Sequence, residues 1–114
     1  MGTDYLARAA GNEYIYGGNN PAAAGYYQAF TDSTGQPLNG ARHSYALTFS
    51  ASQVPQAKRF WSLTAFRPVL IEPIPNRLDE YLVASYTPGL VTSPDGLVTI
   101  YMAPAKPAGV PTAN

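Results

Sequence analysis

Cysteine is absent from the 114 residues, which excludes disulfides, thiolate metal ligands and a cysteine nucleophile. Nothing in the chain would therefore respond to the redox state of its compartment. Charge is scarce as well: Lys, Arg, Asp and Glu make up 12% of the residues, against about 25% in an ordinary globular domain. Seven basic side chains balance seven acidic ones. A formally neutral chain has no electrostatic attraction to nucleic acid or to anionic membranes, so neither is expected as a partner. Long apolar runs are missing too. The longest stretch of Val, Leu and Ile is Val69-Leu70-Ile71, far short of the roughly 20 residues a spanning helix needs, and no membrane insertion is expected. Met1 to Leu6 shows neither the basic nor the apolar region of a signal peptide, and Leu6 stands where a myristoylation signal needs Ser or Thr. The cellular address is left unknown.

What is abundant is punctuation and tyrosine. Ten Gly and eleven Pro interrupt the chain, while nine Tyr, four Phe and one Trp favour pleated, half-buried surfaces. Asp4 can cap one short N-terminal helix over 5–10, stopped by Gly11-Asn12. Gly17 to Gly25 reads as loop. Turns are expected at Asp32-Ser33-Thr34-Gly35 and at Pro37-Leu38-Asn39-Gly40. Tyr45, Leu47 and Phe49 alternate with Ala46, Thr48 and Ser50, the period of a strand with one buried face. Phe60 to Phe66 carries aromatics on both faces and reads as a central strand. Pro68, Pro73 and Pro75 push 69–74 toward an edge strand or an extended connection. Further strands are expected over 80–86 and 97–102, the latter after a Ser93-Pro94-Asp95-Gly96 turn. Five or six short strands at this spacing predict an all-β fold with one short helix: an antiparallel, jelly-roll-like β-sandwich over 1–103, followed by a Pro-rich tail over 104–114.

Chemistry is thinly represented. His43 is the only conventional base near neutral pH, and in an extended segment Arg42 and Ser44 would not share its face. Adjacent Asp79 and Glu80 would point to opposite sides of a strand, which spoils them as an acid/base pair. One histidine and seven scattered carboxylates give no metal-ligand spacing. Gly17-Gly18-Asn19-Asn20 contains no Lys and follows no apolar strand, so it fails as a phosphate loop, and no cofactor is expected. Lys58-Arg59 before Phe60-Trp61 is an isolated basic pair in a neutral chain. Tyr14, Tyr16, Tyr26 and Tyr27 cluster in the loop-rich first third, where they fit either sheet packing or a ligand-recognition surface.

The order of DYLARAA from Asp4, DSTG from Asp32 to PLNG ending at Gly40, YALTF from Tyr45, FWSLT from Phe60 and DGLVTIY from Asp95 resembles the domain of unknown function 1214. That domain is often found C-terminal to the domain of unknown function 1254 in bacterial proteins. The resemblance implies a β-rich, jelly-roll-like sandwich and supplies no catalytic residues. Trp61 is expected to anchor the core and Asp95 to set its turn. Relatives often reach the cell envelope, and they usually continue past the position of Asn114 with a Trp-Leu-Pro segment and a closing strand. On that comparison the chain resembles a C-terminally truncated member with an open sheet edge. The expectation is a non-catalytic structural or binding module that self-associates, as a homodimer through that edge, or meets a partner domain. The alternative is a hydrolase whose site gathers scattered carboxylates or hydroxyls around His43.

Overall fold

A computed structural model describes residues 5–6 and 22–114. Tyr5 and Leu6 have helical backbone; the rest of the expected N-terminal helix lies outside the described residues. Two compact units divide the chain, Met1–Pro37 and Leu38–Asn114. Among the described residues no helix is long and apolar enough to cross a membrane.

In the first unit the DSTG turn forms as read. The Gly35 amide donates to the Asp32 carbonyl at 3.0 Å with Gly35 at φ 82°, and an isolated bridge joins Thr31 to Pro37. Asp32 organises the turn with a single carboxylate oxygen. Its Oδ1 accepts the Thr34 amide at 2.8 Å, the Thr34 hydroxyl at 2.6 Å and the Gln36 amide at 3.0 Å.

The second unit holds four strands in two antiparallel sheets: β1 (Tyr45–Phe49) with β4 (Val98–Met102), and β2 (Ser62–Leu63) with β3 (Val83–Ala84). The fold is therefore β-rich and antiparallel, with four described strands instead of the five or six expected. In the larger sheet, Tyr45 lies opposite Met102, Leu47 opposite Ile100 and Phe49 opposite Val98. All six face one side, where Val98 and Ile100 are buried and the other four half-buried. Ala46 opposite Tyr101 and Thr48 opposite Thr99 form the outer face, where the two threonine hydroxyls meet at 2.9 Å. The period-2 reading of Tyr45 to Phe49 thus describes both strands of this sheet, because antiparallel pairing keeps the same parity on each.

Phe49 carries the inner face toward the second sheet by meeting Trp61 with ring centroids 6.2 Å apart. Trp61 is half-buried there, next to β2. The expected central strand over 60–66 contracts to Ser62–Leu63, and the expected strand over 80–86 contracts to Val83–Ala84. Side chains that compete for backbone groups explain the second contraction. Asn76 Oδ1 accepts the amides of Leu78 and Glu80, and its Nδ2 donates to the Glu80 carbonyl at 2.6 Å. At the other end Thr87 Oγ1 accepts the Ala84 amide at 2.8 Å while the Thr87 amide donates to the Ala84 carbonyl. The proline-rich stretch becomes a narrow loop: Ile74 donates to Ala65, Arg67 to Glu72, and Phe66 bridges Pro73.

The turn before β4 forms with a different organiser. Ser93 Oγ accepts the Leu97 amide at 3.0 Å, the Ser93 carbonyl accepts the Gly96 amide at 2.9 Å, and Asp95 contributes no side-chain bond. Serine at the first turn position offers its oxygen to the backbone as Asp would. Gly96 is required twice over: its φ is 77°, and a Cβ there would lie 3.0 Å from the Ala51 Cβ. The turn expected from Pro37 begins at Asn39 instead, whose carbonyl accepts the Arg42 and His43 amides and whose Oδ1 accepts that of Ala41.

Candidate functional site

Three side chains are buried among the described residues, Ala84, Val98 and Ile100, and all belong to the second unit. Fourteen large apolar side chains of that unit are exposed, from Leu38 to Tyr101. Single exposed apolar residues are ordinary, but this ratio leaves the sheets with little of their apolar surface covered.

The edges of the larger sheet differ from each other. The Tyr101 amide donates to the Asn114 backbone oxygen at 2.8 Å, and the Asn114 side-chain amide donates to the Thr99 carbonyl at 2.9 Å. Thr99 and Tyr101 therefore turn their backbone groups away from β1 and onto Asn114. Asn114 also exchanges two bonds with Val91, at 2.8 and 2.9 Å. Asn114 thus takes the Tyr101 amide and the Thr99 carbonyl, and that edge of β4 is partly capped.

Parity then fixes the other edge. Because Tyr101 and Thr99 point away from β1, their opposite residues Ala46 and Thr48 point away from β4. The outward amides and carbonyls of Ala46 and Thr48 meet no partner among the described residues. The open stretch ends at Ser50, whose amide donates to Gln53 Oε1 and whose carbonyl accepts the Gln53 and Val54 amides. Natural edge strands are usually blunted by Lys, Pro, a bulge or a covering loop. β1, with the sequence YALTF, has no charge and no Pro, and its pairing with β4 runs without a bulge.

A second uncovered feature is the tip of the 66–73 loop. Val69 has φ 74° inside a γ-turn closed by the Leu70 amide on the Pro68 carbonyl at 2.9 Å, and Ile71 has φ 50°. Such backbone is costly for β-branched residues. Val69 is nonetheless 94% exposed, so no packing of its side chain offsets the strain.

The residues singled out from sequence are not drawn together. Tyr14 and Tyr16 lie outside the described residues. Tyr26 and Tyr27 are exposed in the first unit, Tyr27 at 95%. His43 is exposed beside β1, its ring edge-on to Tyr45 at 6.3 Å, and among the described residues no carboxylate or hydroxyl hydrogen-bonds its imidazole. No group of three His, Asp or Glu side chains among the described residues is placed to hold a metal. A cleft of about 190 Å³ is lined by Leu78, Tyr101, Lys106, Val110 and Pro111, among others. It falls below the roughly 300–1,000 Å³ of small-molecule sites, and Lys106 Nζ is engaged there with Thr112 Oγ1 at 2.8 Å. An open sheet edge was expected from the resemblance, but that β1 is the open strand escaped sequence reading, because its openness depends on which strand lies beside it. The uncharged YALTF string was the one signal in the residues themselves.

What the fold defines is a β-rich module with one partly capped and one open strand edge and no assembled catalytic group among the described residues. The chain belongs to the family described as Protein of unknown function (DUF1214), whose model matches residues 23–114. Neither the curated proteins nor the solved structures yield a match to it.

Proposed function

We propose that this chain is a non-catalytic binding or structural module whose ligand is an extended polypeptide segment added alongside β1. The observation that carries this reading is the pair of unpartnered, outward-facing backbone sets at Ala46 and Thr48 on an uncharged strand. Main-chain bonds would supply affinity there. The inner face of Tyr45, Leu47 and Phe49 would extend onto the added strand and select apolar residues at alternate positions. The jelly-roll-like sandwich belongs to the same reading: an added strand widens the β1–β4 sheet enough to form a layer over further apolar side chains. The exposed Val69-Leu70-Ile71 tip offers a second apolar contact.

Amide hydrogen exchange on the full chain at low micromolar concentration tests this. The Ala46 and Thr48 amides should exchange at nearly unprotected rates while those of Leu47 and Ile100 are protected. Strong protection of Ala46 and Thr48 at dilution would mean that the chain covers its own edge, and the reading would fail. Hydrolysis of 4-nitrophenyl acetate by the wild type should stay at the unsaturable rate of an exposed imidazole; saturable turnover above it that is lost in His43→Ala would favour the hydrolase.

A further inference from the structure

Resting on that reading, we propose that the strand added to β1 is β1 of a second copy of this chain, antiparallel and centred on Leu47. The inner face of β1 reads Tyr45, Leu47, Phe49: an aromatic, a leucine, an aromatic. Reversed about Leu47, the pattern meets itself. Leu47 then lies opposite Leu47 of the other copy, and Tyr45 opposite Phe49 on each side. Aromatic pairs across strands are favourable beyond the area they cover, and antiparallel neighbours on one face are the unit of sheet stability.

Backbone geometry agrees with the side chains. In this register Leu47, whose backbone groups face β4, is the non-hydrogen-bonded centre, and Ala46 of each copy exchanges two bonds with Thr48 of the other. The four outward groups left open in each chain are the ones that pair. Ser50 is already satisfied by its own loop, so the ladder need not extend past Thr48. The result is a four-stranded sheet in the order β4-β1-β1-β4, whose two outer edges are the ones Asn114 caps at the Tyr101 amide and the Thr99 carbonyl. A two-fold contact of this kind closes on itself, because each copy uses its one β1 edge on the other. Absence of charge on β1 suits a copy of itself, since two identical strands would otherwise set like charges side by side.

The lack of cysteine makes the register directly readable, because one introduced cysteine can form only an intermolecular disulfide. Light scattering behind size exclusion on the full chain, over a concentration series, should show a monomer converting to a dimer. Leu47→Cys should crosslink under mild oxidation, and Ala46→Cys should not, since residue 46 faces residue 48 of the other copy. Ala46→Pro removes one outward donor per copy and leaves the β1–β4 bonds intact, so it should weaken the dimer by at least about tenfold. Protection of the Leu47 amide in that variant would show that the sheet still folds. Crosslinking through Ala46→Cys in preference to Leu47→Cys would overturn the register. A monomer at all concentrations would overturn the proposal. If Ala46 and Thr48 then exchanged fast, the edge would be open for a different polypeptide and the module reading would stand; if they exchanged slowly, both would fall.

Discussion

The amide of Tyr101 donates to the backbone oxygen of Asn114 at 2.8 Å, so the outer edge of β4 is capped there while the outward groups of β1 meet no partner among the described residues. The Asn114 side chain adds three bonds, two to Val91 and one to Thr99. Replacing it with alanine leaves the part-buried Thr99 carbonyl and the exposed amide and carbonyl of Val91 without these partners, at about 1 kcal/mol each. Asn114→Ala should therefore lower the stability of the second unit by about 1–3 kcal/mol in urea unfolding, and the Val91 amide should lose its exchange protection.

Ile100 is 1% exposed, and Leu47 faces it across the ladder. Truncating a buried isoleucine costs about 2–5 kcal/mol, and with so few buried side chains the neighbours have little with which to compensate. Ile100→Ala should abolish cooperative unfolding of the β1–β4 sheet. Thr48→Val, which removes the exposed hydroxyl pair with Thr99, should change stability by less than about 1 kcal/mol.

Val69 combines a φ of 74° with a side chain that is 94% exposed, so its substitution removes strain and loses no packing. Left-handed or otherwise sparse backbone costs a non-glycine residue about 1–3 kcal/mol, against which glycine's extra unfolded-state entropy is the smaller quantity. Val69→Gly should stabilise the chain by about 1 kcal/mol in urea unfolding. A destabilised variant would show that the strained tip holds contacts beyond those described.

Hydrogen bonding to the Asp79 side chain, with a smaller contribution from desolvation, raises the Tyr81 phenol above its ordinary value of 10.0. A raised folded value means that the folded state holds the proton more tightly than the unfolded one. The associated stability is present below the unfolded value and is lost as pH rises through the folded one. Ultraviolet titration should show a phenol that ionises above its ordinary value and disappears in Tyr81→Phe, and Asp79→Asn should lower it.

The larger sheet was legible in the sequence because alternation along Tyr45 to Phe49 and the SPDG turn before Leu97 are local signals. Their pairing was not, since nothing in either strand names a partner some fifty positions away. Phe60 to Phe66 and Glu80 to Tyr86 read as full strands because their composition favours pleated backbone. Asn76, Thr87 and the prolines claimed the flanking backbone groups, and only two residues of each pair. The DSTG turn followed the reading; Trp61, expected to anchor the core, is half-buried against Phe49, and at the SPDG turn Ser93 took the role assigned to Asp95. For the site, tyrosine clustering and a lone histidine drew attention to side chains, and the open sheet edge was expected only from the resemblance, with no strand assigned to it. The candidate surface is backbone, and backbone groups are the same in every sequence.

Exchange of the Ala46 and Thr48 amides as a function of protein concentration tests the central claim most directly, with Leu47 and Ile100 as references within the same sheet. The edge should exchange freely at dilution and gain protection in step with dimer formation, while the references stay constant. Edge amides whose exchange is slow at every concentration would contradict the account, because they would belong to a strand with no free side.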